Sequence, residues 1–187
     1  MATTSVNLVY VANQNSKTVS VIDGSSNSIT ATITIPNYTG PYMVAVNSST
    51  NTIYTTNWGY QTVSVIDGSS NSVTATISVG SNPTGVALNS STNTIYVANS
   101  GSNTVSVIDG SSNSITATIS VGSYPAGVAV NSSTNTIYVT NGNDNTVSVI
   151  NGSNNSVTAT IPAGDGPWGV ALNSSTNDSI KFEYGLQ

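Results

Sequence analysis

The chain has 187 residues and a mass of 18.9 kDa, with seven carboxylate side chains, two lysines and no arginine, histidine or cysteine, for a formal net charge of −5. The absence of histidine and cysteine excludes Ser-His-Asp and Cys-His nucleophile systems, the usual zinc sites and haem ligation. Two lysines cannot build a phosphate-binding surface, which excludes nucleic acid as a partner. We therefore expect a protein that is not an enzyme, with no metal and no cofactor.

Two motifs recur with a period of about 42 residues. Asn-Ser-Ser-Thr-Asn and Thr-Val-Ser-Val-Ile-Asp/Asn-Gly each occur four times, beginning at Asn47, Asn89, Asn131, Asn173 and at Thr18, Thr62, Thr104, Thr146. Because β-branched residues dominate and turn residues separate short apolar runs, this period predicts four-stranded propeller blades and not helical repeats. We predict an all-β β-propeller of about four blades. It forms a single domain over residues 1–187, with units at about 1–40, 41–82, 83–124 and 125–166, then a closing strand and divergent tail at 167–187.

Four strands are predicted in each unit. In the third unit they cover Gly85 to Leu88, Thr94 to Ala98, Thr104 to Ile108 and Ser114 to Val121. Asp109-Gly110 follows the third strand, and Asp or Asn followed by Gly favours a turn. We therefore interpret Asp23, Asp67 and Asp109, with Asn151 in the fourth unit, as turn residues and not as a calcium site.

The second strand of each unit ends in a motif of the type Tyr-Val-Thr-Asn, at residues 10–13, 54–57, 96–99 and 138–141. Together with the Val-Ser-Val-Ile-Asp-Gly block, this motif makes nearly the whole chain resemble the YVTN-repeat β-propeller family, a surface-layer type of repeat protein. The resemblance implies a propeller, commonly of about seven blades, in surface-exposed or secreted proteins of archaea and bacteria. It carries no catalytic residue onto this sequence, and the chain holds only about four units.

The two ends of the repeat array are complementary. The chain opens on a second strand at residues 6–13 and ends on a surplus first strand at Gly169 to Leu172, which we expect to complete the opening blade. If this surplus strand completes the opening blade of its own chain, the ring has four blades. If two chains exchange their surplus strands, the ring has eight, and if each chain gives its strand to the next without closure, a filament forms. A divergent strand follows the segment that ends at Leu172. It is either a packed cap or a candidate assembly strand, with Ile180, Phe182 and Tyr184 on one face.

The four units differ mainly in the turns between second and third strands and in the crossings between blades, which share one side of a propeller. Aromatic rings beside carboxylates and amides suit a carbohydrate or protein ligand, although such rings also cover blade ends. The candidate ligand-binding residues on this side are Tyr38, Tyr42, Trp58, Tyr60, Tyr124, Asp144, Asp165 and Trp168. The sequence thus favours a binding module or repeat scaffold. Structural assembly through terminal strands is the alternative, and a glycosidase using Asp144 and Asp165 is a minor one.

The opposite side carries one sequon in each Asn-Ser-Ser-Thr-Asn turn. If the protein is exported by a glycosylating cell, the candidate glycan acceptors are Asn47, Asn89, Asn131 and Asn173. The first residues show no signal peptide, and no apolar run is long enough for a membrane span, so no membrane insertion is expected. The family resemblance nevertheless implies an extracellular or cell-surface location. With so few charges, we also expect a nearly flat melting temperature between about pH 3 and pH 8.

Overall fold

A computed structural model describes residues 7–36 and 40–173, which form four antiparallel sheets. Tyr38 and the proposed assembly residues Ile180, Phe182 and Tyr184 lie outside the described residues. Blade 1 has three strands, β1 (Leu8–Asn13), β2 (Thr18–Asp23) and β3 (Ser28–Thr34). Blade 2 has β4 (Pro41–Asn47), β5 (Thr52–Asn57), β6 (Thr62–Asp67) and β7 (Ser72–Ser78). Blade 3 has β8 (Pro83–Asn89), β9 (Thr94–Asn99), β10 (Thr104–Asp109) and β11 (Ser114–Ser120). Blade 4 has β12 (Pro125–Asn131), β13 (Thr136–Asn141), β14 (Thr146–Asn151) and β15 (Ser156–Pro162).

Each strand pairs with the next in sequence, so every blade is an up-and-down sheet of the propeller type. The tight turns end on residues with positive φ, such as Asn93, Asn103 and Asn113 in blade 3, with φ between 50° and 55°. Asparagine tolerates this left-handed conformation better than most residues. Part of the high asparagine content of the chain is therefore a requirement of its turns.

The blades pack on one another through three buried apolar clusters. One joins blades 1 and 2, one joins blades 2 and 3, and one joins blades 3 and 4. In the second of these, Tyr54 and Val63 of blade 2 meet Ile95 and Val97 of blade 3, and all four are at most 1% exposed. The repeated tyrosines Tyr54 and Tyr96 are 1% exposed and pack in these junctions.

Buried hydroxyl groups join each of blades 2 and 3 to the first strand of the next blade. The Thr56 hydroxyl donates to the backbone oxygen of Thr84 at 2.8 Å, between blades 2 and 3. The Thr84 hydroxyl in turn lies 3.0 Å from the backbone oxygen of Pro125, between blades 3 and 4. These first strands come so close that a Cβ added to Gly85 would lie 2.2 Å from the backbone oxygen of Ala126. Glycine is therefore required at Gly85 by a backbone approach and not by a turn.

The C-terminal segment does not take the position that the sequence predicted. We expected Gly169 to Leu172 to complete blade 1, but β1 is an edge strand of a three-stranded sheet. The segment lies instead against blade 4, where the Thr140 hydroxyl donates to the backbone oxygen of Trp168 at 2.9 Å. Within residues 7–36 and 40–173, no buried cluster joins blade 4 to blade 1. The segment thus lies against blade 4 in the same way as the first strand of blade 4 lies against blade 3.

In the described part of the chain, no helix has the length and apolar character needed to cross a membrane.

The third turn of each blade is an Asx turn, as expected. The backbone N–H of Ser69 donates to Asp67 at 2.9 Å, and Asn151 accepts the equivalent bond from Ser153 at 2.8 Å. The Ser69 N–H, followed by the Ser70 hydroxyl, lowers the pKa of Asp67. The Ser111 N–H, followed by the Ser112 hydroxyl, lowers the pKa of Asp109. The pKa of Asp23 is also lowered, and the hydrogen bond from the Ser25 hydroxyl is the largest cause.

We predict that stability is flat from neutral pH to about pH 5 and falls below about pH 4. The three carboxyl groups have a lower pKa in the folded chain than in the unfolded chain, so their contribution is complete above the unfolded pKa. It is lost as the pH falls through the folded pKa. The lower pH limit of constant melting temperature is therefore higher than the value of about pH 3 that the sequence suggested. Melting temperatures at pH 3 and pH 7 test this prediction.

The matched variant replaces Asp23, Asp67 and Asp109 with Asn, the residue that makes the same turn at Asn151. Its melting temperature should change less between pH 7 and pH 3 than that of the wild type. An equal acid-induced loss in both proteins would contradict the assignment to these turns.

Candidate functional site

The variable turns and crossings form one continuous surface, which we call the loop face. It comprises the turns between the second and third strands of each blade, together with the crossings that precede β8 and β12 and follow β15. The crossing at Tyr124 is fixed on both sides: its N–H donates to Asn103 of blade 3 at 3.0 Å, and its oxygen accepts from Gly142 of blade 4 at 2.9 Å. The loop face is therefore held by hydrogen bonds between neighbouring blades.

Tyr124 and Trp168 form an exposed aromatic pair on the loop face. Their ring centroids lie 6.0 Å apart with an interplanar angle of 44°, and they are 36% and 44% exposed. Tyr124 has φ of +57°, whereas the equivalent positions in the repeat are Asn82 and Gly166, which suit that conformation. A bulky side chain in the left-handed region is strained, and such strain is concentrated at functional sites.

The carboxylate of Asp144 lies beside this pair. It accepts a hydrogen bond at 2.7 Å from the backbone N–H of Ser123, the residue before Tyr124. Asp144 also lines an open groove of about 540 Å³ between blades 3 and 4, whose other polar groups are hydroxyls of Ser120, Thr146, Ser148 and Thr160. The matching groove between blades 2 and 3 has about 350 Å³ and carries Ser102 in place of the carboxylate.

Asp165 has a different setting. Its carboxylate accepts from the Asn145 side chain at 3.2 Å, and the other end of that amide accepts from the N–H of Gly166 at 2.9 Å. Asn145 therefore holds the crossing that leads to Trp168. Within the described residues, no group of three or more acidic, histidine or cysteine side chains is arranged to hold a metal ion.

The remaining predicted aromatic residues belong to blade 2. Trp58 and Tyr60 lie on the turn between β5 and β6 and are 40% and 44% exposed, while Tyr42 is half-buried in β4. The structure thus brings the rings of Tyr124 and Trp168 together and places Asp144 against Ser123, the residue before Tyr124. It places Trp58 and Tyr60 on a separate turn of the same loop face.

Sequence reasoning missed Thr140, which positions the aromatic pair. This buried threonine of β13 accepts a hydrogen bond from the N–H of Gly127 at 2.8 Å and donates to the oxygen of Trp168 at 2.9 Å. The equivalent residue of blade 2 is Thr56, but blades 1 and 3 carry Ala12 and Ala98 there. The alternation between threonine and alanine at this position was the feature of the sequence that could have identified Thr140. A hydroxyl group in an otherwise apolar buried strand needs a hydrogen-bond partner.

Sequence reasoning also missed a small apolar cavity of about 190 Å³ between the first strands of the blades. Val44, Val86, Val128 and Val170 line it from successive units, and Trp168 lies at its edge.

The sequon asparagines have unequal settings. Asn47 and Asn89 are 0% exposed, and their Nδ2 atoms donate to Asn93 and Asn135 of the next blade at 2.8 Å. Because a glycan is attached through Nδ2, a glycan at either of these positions would replace the hydrogen bond to the next blade. Asn131 is half-buried and Asn173 is exposed, so glycosylation there stays a prediction.

Comparison with known proteins identifies repeats of the β-propeller type. The model of the NHL repeat matches residues 81–108 and 123–150, which run from the crossing before β8 into β10 and from the crossing before β12 into β14. Among solved structures, the chain is similar to Kuenenia stuttgartiensis hydrazine synthase, with a TM-score of 0.76 and 23% identity. That similarity covers 82% of this chain and 45% of the other, so this chain spans less than half of its length.

No curated protein matches the sequence. The likeness to solved structures extends to 1147 chains, so it describes a widespread fold and does not select a function.

Proposed function

We propose that the chain is a non-enzymatic repeat scaffold of the YVTN type, located at a cell surface, that binds a neutral carbohydrate at Tyr124, Asp144 and Trp168. The observation that carries this proposal is the strained Tyr124, whose ring lies 6.0 Å from the ring of Trp168 while both remain exposed. A residue kept at an energetic cost in an exposed position favours a role in recognition over a role in packing.

The surrounding groups suit a sugar. The apolar face of a pyranose ring stacks on an aromatic ring, while its hydroxyls need acceptors and donors at fixed positions. Asp144 supplies an acceptor, and the groove that it lines continues with four hydroxyl groups. A net charge of −5 disfavours anionic glycans, so the ligand class is a neutral oligosaccharide.

The loop face also has the rigidity that such a site requires. A hydrogen bond to Asn103 and one from Gly142 fix the crossing that carries Tyr124, and the Thr140 hydroxyl fixes the backbone at Trp168. Groups held in this way lose little conformational freedom when a ligand binds, which favours affinity.

The test uses Tyr124→Asn, which installs the residue that blade 3 has at Asn82. We expect this variant to be as stable as the wild type or more stable by about 1 kcal/mol, because asparagine relieves the strained backbone. We also expect it to lose at least about tenfold in affinity for the neutral oligosaccharide that the wild type selects. The probes are cello-, malto-, manno- and chito-oligosaccharides, and tryptophan emission reports binding.

Ile115→Thr is the control, because it removes an exposed apolar side chain from the groove between blades 2 and 3 and leaves blade 4 intact. Its affinity should equal that of the wild type. Unchanged affinity in Tyr124→Asn, or binding of none of the four probes by the wild type, would contradict the proposed site. Binding of a protein ligand at Tyr124, Asp144 and Trp168 would contradict the proposed carbohydrate ligand and would identify a protein-binding site instead.

A further inference from the structure

The three junctions between blades follow one template. At each junction, a tyrosine, two valines and an isoleucine from one blade form a wall, and residues from the second and third strands of the next blade pack into it. At the junction of blades 3 and 4, the wall contains Tyr96, Val105, Val107 and Ile119. The residues that pack on this wall are Ile137, Val139 and Ile150, of which all three are 0% exposed.

The residues that would pack into a fourth wall are exposed at the start of the repeat array. Val9 occupies the position of Ile137, and Val11 occupies the position of Val139. Val9 is 44% exposed and Val11 is 38% exposed, against 0% for each of those counterparts. The face of blade 1 that points away from blade 2 is therefore apolar and uncovered within the described residues.

The complementary wall is uncovered on blade 4. Its members are Tyr138, Val147, Val149 and Ile161, at the positions of Tyr96, Val105, Val107 and Ile119. The blade 3 residues are at most 5% exposed, whereas all four blade 4 residues are only partly buried. Blade 4 thus presents the wall and blade 1 presents the residues that fit it.

The strand edges match in the same way. In blades 2, 3 and 4 the first strand pairs with the second in one register, for example Val86 with Val97 and Leu88 with Ile95. Transferring this register by one unit pairs Val170 with Val11 and Leu172 with Val9. β1 lacks such a partner in its own sheet, and the segment at 169–172 continues the first-strand series beyond blade 4.

Charge is complementary as well. The crossing that follows β15 carries Asp165, and by the repeat it lies next to the turn between the second and third strands of the following blade. In blade 1 that turn contains Ser16 and Lys17, the single lysine of residues 7–36 and 40–173. In the repeat transferred to this junction, Asp165 would lie beside the turn that contains Lys17, in a surface that is otherwise nearly free of charge.

We propose that the occupant of both uncovered surfaces is a second copy of this chain, and that two copies close an eight-bladed ring. Residues 167–173 of each copy become the first strand of blade 1 in the other, and a fourth cluster forms twice, from Tyr138, Val147, Val149 and Ile161 of one copy with Val9 and Val11 of the other. The two junctions are related by a twofold axis, the commonest symmetry of soluble oligomers. Eight blades lie within the range that propellers adopt.

The decisive experiment joins Val11→Cys and Val170→Cys in one chain, which otherwise has no cysteine. Residues that face each other on paired strands are close enough for a disulfide bond. Under mild oxidation we expect a covalent species of twice the chain mass of 18.9 kDa, seen on a non-reducing gel and by intact mass. The control pairs Val11→Cys with Leu172→Cys, which is displaced by two residues from the proposed register and should remain uncrosslinked.

Each other product overturns the proposal in a distinct way. A disulfide within one chain at 18.9 kDa means that the chain closes its own ring. A ladder of higher species means an open head-to-tail assembly, and the absence of any disulfide means that the two strands do not meet.

A second measurement does not depend on thiol chemistry. Light scattering of the wild type should give twice the chain mass, and Val9→Lys should give the mass of a single chain because lysine is placed in the fourth cluster. Ile115→Lys, at a position 39% exposed in the groove between blades 2 and 3, should keep the mass of the wild type. A monomeric wild type, or a Val9→Lys variant of unchanged mass, overturns the proposal.

Discussion

Replacing Gly85 with alanine is expected to destabilise the fold by about 3 kcal/mol. The new Cβ would lie 2.2 Å from the backbone oxygen of Ala126 and 3.1 Å from the backbone nitrogen of Val128. Both atoms belong to the backbone of β12, so the clash cannot be relieved by rotating a side chain. β8 contacts the first strands of both neighbouring blades, β4 and β12, so it cannot move away from one without moving toward the other.

At about 2–4 °C per kcal/mol for a domain of this size, the melting temperature should fall by about 6–12 °C. Gly164→Ala is the matched control, since a Cβ at Gly164 has no atom within 4 Å. Both variants are compared with the wild type at one protein concentration, because association affects the melting temperature. Equal melting temperatures for the two variants would contradict the close approach of β8 and β12.

Replacing Ile95 with alanine is expected to cost about 2–5 kcal/mol, the range for truncating a large side chain in a packed core. Ile95 is 0% exposed and belongs to the buried apolar cluster between blades 2 and 3. Its loss leaves a cavity between two sheets that are each held together by backbone hydrogen bonds. The sheets can close that cavity only by moving as whole bodies.

Ile115→Ala is the control for this prediction. It is the same substitution at a position that is 39% exposed, and we expect it to cost less than about 1 kcal/mol. Free energies of unfolding from denaturant titration measure both variants. A small cost at Ile95, equal to that at Ile115, would mean that the blades do not share a packed junction.

The sequence predicts the strands well because their determinants are local. Alternating β-branched residues separated by asparagine, aspartate and glycine specify the hairpins of each blade, and the Asx turns at Asp67 and Asn151 follow from the same chemistry. The sequence does not determine whether Gly169 to Leu172 completes blade 1 of its own chain or of another copy. Alternation shows which side of a strand is buried, but it does not show which neighbouring strand completes the pairing, and within the chain β1 remains an edge strand.

The candidate site was predicted only in part, for a similar reason. The repeat comparison places Tyr124 and Trp168 on one face, but neither the strained φ of Tyr124 nor the role of Thr140 can be derived from a residue pattern. The sequons at Asn47 and Asn89 show what a motif alone leaves out. The motif is present, but the side chains are committed to hydrogen bonds with the next blade.

The bonds from Asn47 to Asn93 and from Asn89 to Asn135 each span 46 residues and begin 42 residues apart, and the apolar clusters repeat at the same interval of 42 residues. Every junction is thus built from interchangeable parts, and stability is close to a sum over neighbouring units. Duplication or loss of one 42-residue segment in the gene would add or remove one junction without creating a new kind of contact. A lineage of such chains can therefore change its number of blades by recombination between its own repeats, and each product would already be compatible with the blades on either side of it.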